Sequence, residues 1–577
     1  MMKNIRTLSF FALPLLTPIA FFYQALTSKV KISGLILGIS AALFLLLTAC
    51  LWLWTDRKKF KLSRYAAYAC MAALATLFLF YDLIPNIVTK FALSAEEEPT
   101  RSDAVLYVVF AVYWLMMGYA GAVFLKGEKR LKAPSFFLIS AIPLVAAYLL
   151  LILPGSSPDA DTHYLITYNY TNRLLGSGQE QEWSAREDDL QFYQNIMLRK
   201  EVTAEGVWQA TQGAWTAPTD ELVPLPDQAE HMKGYSPISY LPQIIGMALG
   251  RLLGLGGVPS AYLARILTAA LYILLCLNAV KTAPAGKIIF AVVPLLPMAL
   301  MMSGAFSYDA AVIACTLNFI AATLALCQSP ADKKRLIACI VWAFLIGAIK
   351  GGGYLLLLPL VLLLLQYTDR KTALRSMAYI LAAGLVSCVL FDLILVGKQG
   401  LFQLGTADNG MLSASFALRY PVRYLFMVLK AYVNSPDEWI SNMGGHALGW
   451  LEPVLPVVLP LSIIAVCCVY ACREKDHLSL RRENKRILLI PVLLSLGLTP
   501  MMLLSITPIG AAGIGGLQGR YFLPVLPLML LLMTKFGLHH QMENPADRAA
   551  LRLRCFDLLT ALNCLCVYYL MRVYLIR

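Results

Sequence analysis

The chain has 577 residues, of which 59% are hydrophobic and only 14% are charged. Soluble globular proteins carry about 25% charged residues, so this composition excludes that class and indicates a membrane-embedded protein. The formal net charge is +14, but Lys and Arg cluster in short segments between apolar runs. That pattern is typical of cytoplasmic loops, and we expect no nucleic-acid partner.

Apolar runs of about 18 residues or more recur along almost the whole chain, and each is long enough to cross a bilayer as a helix. We therefore predict an all-α polytopic membrane protein with about 13–15 transmembrane helices. A transmembrane barrel would show short alternating segments instead. The predicted spans are 7–26, 33–54, 66–86, 104–125, 134–153, 259–280, 288–304, 309–327, 336–349, 354–367, 376–396, 453–472, 487–507, 520–538 and 555–575.

The basic segments predict the orientation of the chain. With the N-terminus in the cytoplasm, all five fall on the cytoplasmic side, as the positive-inside rule requires. Two long polar segments then face outward. No small-residue cleavage site follows Lys3 and Arg6, so the first apolar run is interpreted as a retained transmembrane span and not as a cleaved signal peptide. The basic segments are 57–64, 126–132, 332–335, 369–375 and 473–486, and the outer loops are 154–238 and 397–452.

Two segments on the outer side are predicted to lie in the membrane interface. Residues 416–433 interleave Arg419, Arg423 and Lys430 with aromatic residues, which is typical of a helix lying flat with its apolar side down. Residues 239–257 are interrupted by Gly too often for a span and are predicted as an outer-surface helix.

The thirteen cysteines fall in predicted spans or on the cytoplasmic side, and none lies in the two outer loops. This distribution predicts no disulfide framework. No spacing of Cys and His indicates a metal site, so we expect no cofactor, although a divalent cation stays possible.

Ionisable residues inside spans cost about 2.5–3.5 kcal/mol each, which makes them functional candidates. Here they lie near the outer ends of predicted spans and hardly any lie at mid-depth. Lys and Arg side chains can also snorkel to water, an alternative that is weaker for the short acids. The residues concerned are Asp82, Asp309, Lys350, Asp392 and Arg520, with Arg251 and Arg265 at the outer interface.

The segment KGGGY (350–354) lies between the predicted spans 336–349 and 354–367, each of about 14 residues. Each span is roughly 21 Å long as a helix, which is shorter than the thickness of the hydrocarbon core, roughly 30 Å. The tip therefore lies below the outer surface, where Lys350 and free backbone N–H groups suit a phosphate at headgroup depth. The alternative is a tight turn whose Lys reaches water.

Asp159, Asp161 and His163 follow directly after a predicted span. An Asp after Pro is commonly a turn residue or a helix cap, which is the alternative to a reactive role. The scarcity of mid-depth charges and of internal repeats disfavours a transporter, whose substrate site would lie near the midplane.

Several segments resemble, in the same order, the blocks of an uncharacterised bacterial membrane family known as domain of unknown function 2142. QGRYFLP is the most specific of them. The segments are PDADTH (158–163), YSPISYLPQIIGMALGRLLGL (235–255), SYDA (307–310), KGGGY (350–354), GGHALGWLEPVLP (444–456) and QGRYFLPVLP (518–527).

The resemblance covers about residues 154–530 and implies three parts of the chain. These parts are four additional N-terminal transmembrane helices in 1–132, a glycosyltransferase-like core in 133–396 with the first outer loop, and 397–577 with the second outer loop and the C-terminal transmembrane helices.

That family in turn resembles the C-type glycosyltransferases, multi-pass enzymes that use lipid-phosphate sugars. The resemblance implies that Asp159 matches their catalytic acid. It also implies that Arg265 matches the arginine that they have at the next span. In those enzymes Asp is followed directly by Glu, whereas here Ala160 intervenes before Asp161. The displaced carboxylate puts a metal-binding role in doubt.

The resemblance implies a bacterial plasma-membrane glycosyltransferase with an extracytoplasmic active site. It would move a sugar, with inversion, from a polyprenyl-phosphate donor to a cell-wall or surface-glycan acceptor. Asp159 would be the general base, and Asp161 and His163 would orient the acceptor or assist. The residues expected to bind substrate are Arg265, Asp309, Lys350, Tyr354, Gln518, Arg520, Tyr235 and Tyr240. The alternatives are a lipid-linked glycan polymerase or ligase and a non-enzymatic transporter or flippase.

Overall fold

The computed structural model describes residues 62–91, 101–125, 131–177, 184–198, 203–213, 215–217, 221–225, 236–391, 410–434, 437–450, 454–473, 478, 480, 482–533 and 545–576. The predicted spans 7–26 and 33–54, the candidate Tyr235 and the predicted Asp392 lie outside the described residues.

Helices make up almost all of the described chain. In order they are α1 (Leu62–Leu77), α2 (Ile84–Phe91), α3 (Arg101–Phe124), α4 (Ala133–Leu151), α5 (Ala160–Leu175), α6 (Glu187–Phe192), α7 (Ala204–Gln212), α8 (Leu241–Leu252), α9 (Gly257–Thr282), α10 (Lys287–Val292), α11 (Pro297–Ser303), α12 (Asp309–Gln328), α13 (Lys333–Ala348), α14 (Arg370–Cys388), α15 (Ala414–Arg419), α16 (Pro421–Asn434), α17 (Asn442–Gly444), α18 (Val458–Arg473), α19 (Arg482–Met502), α20 (Leu526–Met533) and α21 (Pro545–Ile576).

Two strands and several short helical turns complete the described elements. Strands β1 (Ser184–Arg186) and β2 (Leu222–Pro224) pair antiparallel, with Ala185 opposite Val223. A π-helical turn at Phe78–Leu83 joins α1 to α2, a second one at Tyr193–Met197 follows α6, and Leu355–Gln366 is a 3-10 helix.

Eight helices in the described part of the chain are long and apolar enough to cross a membrane. This confirms the predicted all-α polytopic class. The eight are Tyr68–Phe91, Arg101–Phe124, Ala133–Leu151, Gly257–Thr282, Asp309–Gln328, Arg370–Phe391, Glu483–Ile506 and Ala546–Ile576, with Leu355–Gln366 and Val458–Arg473 as shorter apolar helices.

Two predicted continuous spans are broken. Residues 288–304 form α10 and α11 with a 3-10 turn at Val293–Leu295 between them. Pro294 and Pro297 lie at this break, and proline interrupts a helix because it has no N–H to donate. The predicted span 520–538 likewise begins with a 3-10 turn at Gly519–Phe522 before α20, and residues 534–538 lie outside the described residues.

Side-chain contacts identify the two ends of the bundle. Arg64, near the start of α1, pairs with Asp557 and donates to the carbonyl of Val123 at the end of α3. At the opposite end, Lys90 donates to the carbonyl of Ile576. We call the first end the basic face, because the predicted basic segments adjoin it. The second end is the site face.

The candidate site lies on the site face, at the start of the most enclosed helix. In α12, 94% of an 18-residue apolar stretch is buried inside the protein. Helix α5, which begins directly after Asp159, packs against α8, and α8 packs along α9. The first outer loop is thus folded onto the bundle.

Helices α15 and α16 match the predicted interface helix at 416–433. Their apolar side chains stand exposed in a row: Leu418, Val422, Leu425, Phe426, Leu429 and Val433. An exposed apolar face of this kind is typical of a helix that lies in the membrane interface.

Candidate functional site

Two residues in the described chain other than glycine have a positive φ, Asp159 at 59° and Lys350 at 50°. An L-residue in this left-handed region is strained, at a cost of about 1–3 kcal/mol, and such strain concentrates at functional sites. Both residues were singled out from the sequence, and the structure brings them into one cluster with Asp309 and Arg520.

Asp159 occupies the N-cap position of α5, but its side chain makes no capping hydrogen bond. The carboxylate instead accepts a hydrogen bond from the Nη2 of Arg520 at 3.2 Å, and its side chain is 55% exposed. The ordinary role of an Asp at a helix start is therefore absent here. The left-handed backbone turns the carboxylate away from the helix and toward the open side of the site.

Arg520 lies between two carboxylates that are distant in sequence. Its Nη2 contacts Asp159, its Nε lies 3.8 Å from the Oδ2 of Asp309, and its side chain is only 6% exposed. Burial acts to lower the pKa of Arg520, but the charges of Asp309 and Asp159 outweigh it and raise the pKa above its ordinary value. The guanidinium is a permanent cation whose Nε has no hydrogen-bond partner among the described residues.

The glycine of the QGR motif allows Arg520 to reach this position. Gly519 opens the 3-10 turn Gly519–Phe522 and packs directly on the backbone of Trp439 and Met443. A Cβ at Gly519 would collide with the backbone nitrogen of Met443. The motif therefore couples a close backbone approach to the placement of the cation.

Lys350 forms the second cation of the cluster. Its Nζ lies 4.7 Å from the ring centre of Tyr308, 4.8 Å from that of Tyr521 and 5.8 Å from that of Tyr354. Aromatic faces attract an ammonium group at these distances. Burial lowers the pKa of Lys350 to about 8, although the charge of Asp309 opposes this shift. The side chain is turned into the protein rather than out to water.

Glycines in KGGGY shape the turn that carries Lys350. Gly351 and Gly352 have φ of 59° and 67°, in the region that favours glycine. A Cβ on Gly352 would lie 2.6 Å from the Sγ of Cys388. The two glycines thus permit a tight reversal directly after α13.

His163 is buried and contacts two tyrosines of the site, Tyr240 and Tyr308. Its Nδ1 lies 2.8 Å from the hydroxyl of Tyr240, and its ring meets the ring of Tyr308 edge-on at 4.9 Å. His163 is 4% exposed, and burial lowers its pKa to about 4 against the opposing charges of Asp159 and Asp309. A buried neutral imidazole does not meet an acceptor directly. We therefore revise the predicted acceptor-orienting role of His163 to that of a positioning residue for Tyr240 and Tyr308.

Asp161 forms no hydrogen bond or ion pair with the four-residue cluster in the part of the chain that the structure describes. It lies in the first turn of α5. Burial and the charge of Asp161 together raise the pKa of Tyr193 to about 12, so Asp161 lies close to the π-helical turn at Tyr193–Met197. The acceptor-orienting role predicted beside Asp159 does not fit this position.

Arg265 does not reach the cluster, contrary to the role that the resemblance implies. Its Nε donates to the carbonyl of Gly304 at 2.6 Å, one Nη to Ile152 at 2.6 Å and the other to Leu149 at 3.4 Å. The residue is 2% exposed. Its donors are thus taken by the carbonyl after α11 and by two carbonyls at the end of α4, where Arg265 holds the chain that leads to Asp159.

The remaining candidates surround the cluster. Tyr354 donates its hydroxyl to the carbonyl of Tyr521 at 3.2 Å, Tyr240 is fully buried, and Gln518 is half-buried two positions before Arg520. Sequence reasoning missed Tyr308 and Tyr521 as rings beside Lys350. Both stand next to a charged residue inside a motif that was recognised, SYDA and QGRYFLP, and that adjacency was the available signal.

A third missed residue is Gln243, which connects three elements. Its Nε2 donates to the carbonyl of Ser307 at 2.7 Å, and its Oε1 accepts from the hydroxyl of Thr167 at 3.1 Å. This buried amide fixes α8, α5 and the segment before Asp309. It lies in the SYLPQ block of the sequence.

The cluster combines two carboxylates with two cations on the site face. The cations can hold a dianionic group such as a phosphate, and the exposed Asp159 can accept a proton. In the part of the chain that the structure describes, no three His, Cys, Asp or Glu side chains are close enough to hold a metal ion.

Comparison with known proteins gives the family of the chain. Neither the curated proteins nor the solved structures contain a match. A family model described as predicted membrane protein (DUF2142) matches residues 142–529, which include all four residues of the cluster. This confirms the family that the sequence motifs predicted, and its description carries no activity. The chain belongs to the DUF2142 family of predicted membrane proteins.

Proposed function

We propose that this multi-pass protein is a glycosyltransferase that moves a sugar from a polyprenyl-phosphate donor to a glycan acceptor with inversion. The observation that carries the proposal is the exposed carboxylate of Asp159, 3.2 Å from a buried arginine that shares the site with Lys350. A group able to take a proton thus lies directly beside two groups able to stabilise a phosphate.

Arg520 and Lys350 are assigned to the donor's phosphate. When the bond between the sugar's anomeric carbon and the phosphate oxygen breaks, the leaving polyprenyl phosphate gains a second negative charge. Fixed cations aimed at that charge stabilise the transition state more than the bound donor. The low pKa of Lys350 reflects a buried, poorly solvated ammonium, so an arriving anion meets little competing water.

Asp159 is assigned as the general base. The acceptor's oxygen forms a bond to the anomeric carbon from the side opposite the phosphate, while its hydroxyl proton passes to the carboxylate of Asp159. Arg520 donates a hydrogen bond to that carboxylate. Donor phosphate competes for the same guanidinium and leaves Asp159 free to take the proton, which couples the base to the presence of donor.

The position of the cluster agrees with a lipid-linked donor. The four residues lie on the site face, at the ends of membrane-crossing helices and opposite the basic segments. By the positive-inside rule the site face is extracytoplasmic, at the level of lipid phosphates. We accordingly place the enzyme in the bacterial plasma membrane, with its N-terminus in the cytoplasm.

Sugar transfer from a set of radiolabelled polyprenyl-phosphate sugars to envelope glycans tests this proposal. Purified protein in lipid nanodiscs should transfer at least one sugar of the set, and Asp159→Asn should lose the activity. A product that grows by many units would favour the alternative of a glycan polymerase. Transfer from none of the donors, with donor binding also absent, would contradict the proposed reaction.

A further inference from the structure

A cleft of about 350 Å³ opens on the site face, between the segment 188–196 and the end of α7. The start of α9 forms its floor, at Gly257 and Val258. Its polar lining comes from two helical segments, with Asp188, Gln191 and Asn195 on one wall and Gln209 and Gln212 on the other. The volume is in the range of small-molecule sites, about 300–1,000 Å³.

The spacing of the lining residues explains why they face each other. Asp188, Gln191 and Asn195 stand at positions i, i+3 and i+7, which share one face of a helix. Gln209 and Gln212 repeat the i, i+3 spacing on α7. Two rows of amide side chains therefore line the space between the helices.

The chemistry of this lining favours a neutral carbohydrate. A primary amide offers donors and acceptors together, and a sugar hydroxyl needs both. None of the described residues that line the cleft is Lys or Arg, and Asp188 adds a negative charge. An anionic lipid headgroup or phosphate would therefore be repelled, and an acyl chain would meet polar groups.

One amide in the cleft is incompletely satisfied. The Nε2 of Gln209 donates to Glu205 at 3.1 Å, whereas its Oε1 is buried and has no hydrogen-bond partner among the described residues. Buried polar atoms are normally paired, and an exception is a place where a ligand group can bind. A sugar hydroxyl would supply the missing donor.

The wall of the cleft is rigid. Asp189, next to Asp188, pairs with Arg186 at 2.6 Å, and both side chains are 2% exposed. Asp189 also accepts from the hydroxyl of Tyr168 at 2.6 Å. A Cβ on Gly257 would lie 2.6 Å from the Cβ of Phe192, so helix and floor are in tight contact. The backbone that carries the amides is thus held by buried contacts before a ligand arrives, which lowers the cost of binding.

The cleft and the Asp159 site share a wall. The π-helical turn Tyr193–Met197 contributes Asn195 to the cleft. On its other side the same turn packs so closely on Gly155 that a Cβ there would lie 2.5 Å from the carbonyl oxygen of Ile196. Gly155 stands four residues before Asp159. One helical turn therefore separates the cleft from the segment that leads to Asp159.

We propose that this cleft binds a neutral sugar residue of the acceptor glycan, removed from the hydroxyl that is attacked. The inference rests on the proposed function for the meaning of acceptor, but the cleft and its ligand class are defined independently of Asp159. It specifies an oligomeric, uncharged acceptor segment rather than a single sugar.

Saturation-transfer NMR on the full-length protein in nanodiscs tests the cleft. The probes are four-unit oligosaccharides of neutral hexose, N-acetylhexosamine and pentose, with oligogalacturonate as the anionic comparison. At least one neutral probe should bind, and oligogalacturonate should bind more weakly. Asn195→Ala combined with Gln209→Ala should weaken binding about tenfold, since two hydrogen bonds are lost. Gln194→Ala, exposed on the same turn but outside the cleft, is the matched control.

The outcomes distinguish failure of the cleft proposal from failure of the proposed reaction. Failure of every neutral probe, or binding unchanged in the folded double variant, overturns the cleft even if Asp159→Asn abolishes transfer. Gln212→Ala, a single exposed substitution, provides a second variant should the double variant not fold. Binding that depends on Gln209 but not on Asp159 supports the cleft, whatever activity the Asp159 variant retains.

Discussion

Replacing Arg520 by Met removes the cation on which the four-residue cluster is built. The guanidinium contacts Asp159 at 3.2 Å and approaches Asp309 at 3.8 Å from a nearly buried position. Without it, two carboxylates face the phosphate position with only Lys350 to balance them. We expect donor affinity to fall because an attraction is lost and a repulsion is exposed.

The size of the loss follows from the contacts. Charge-assisted hydrogen bonds contribute about 1.5–3 kcal/mol, so Arg520→Met should weaken binding of a radiolabelled polyprenyl-phosphate sugar roughly ten- to a hundredfold. Lys350→Met should give a loss of the same order. The double variant should lose less than the product of the two, because both cations serve one group.

Equilibrium binding in nanodiscs measures these affinities, and size-exclusion profiles and thermal unfolding check that each variant is folded. Arg520→Lys keeps the charge but loses the fork that reaches both carboxylates, so it should recover only part of the affinity. Arg335→Met, which removes a partly exposed arginine on the basic face, should change nothing. Affinity that survives in folded Arg520→Met and Lys350→Met would place the phosphate elsewhere.

Three further predictions concern single groups. Burial lowers the pKa of Lys350 to about 8, and only its protonated form attracts phosphate. Donor affinity should therefore be constant below about pH 7 and fall as the pH rises through 8. The same pH series on Lys350→Met should show no such fall. Arg265→Met should lower thermal stability, by about 3 kcal/mol because its carbonyl partners are left unpaired, while donor affinity of the folded fraction stays near that of the wild type; a large loss of affinity would return Arg265 to the phosphate site. Gly519→Ala should displace Arg520, because the new Cβ meets the backbone of Met443, and reduce donor binding about as much as Arg520→Met; unchanged binding would show that the turn can move.

The depth of the site and the four charged residues of the cluster were predictable from the sequence, but the neighbours of each residue within the membrane plane were not. Span boundaries place Asp159, Lys350 and Arg520 at the same end of the bundle, and the structure brings these three together with Asp309. Hydropathy determines only the level of a residue along the membrane normal. It gives no position within the membrane plane, which is why Arg265 was grouped with residues at the same level that it does not contact.

Local reasoning failed for a similar reason at His163 and Asp161. Both stand near Asp159 in sequence, but His163, four positions away, is buried against Tyr240 and Tyr308, and Asp161 lies close to Tyr193. The strain at Asp159 and Lys350 was also invisible, because left-handed backbone at a non-glycine residue is imposed by the surrounding fold. The broken segment at 288–304 shows a further limit, since apolar composition alone does not reveal where prolines divide a helix.

Turnover of Asp159→Asn, compared with Asp161→Asn in the same nanodiscs, tests the proposed mechanism most directly. The substitution keeps the shape of the side chain and removes the base, and general-base catalysis contributes roughly 10²–10⁴-fold. We expect sugar transfer by Asp159→Asn to fall at least about a hundredfold, with binding of polyprenyl phosphate nearly intact and Asp161→Asn close to wild type. Folded Asp159→Asn that keeps more than about a tenth of wild-type turnover, or an Asp161→Asn variant that is the more damaged of the two, would contradict the assignment of Asp159 as the base.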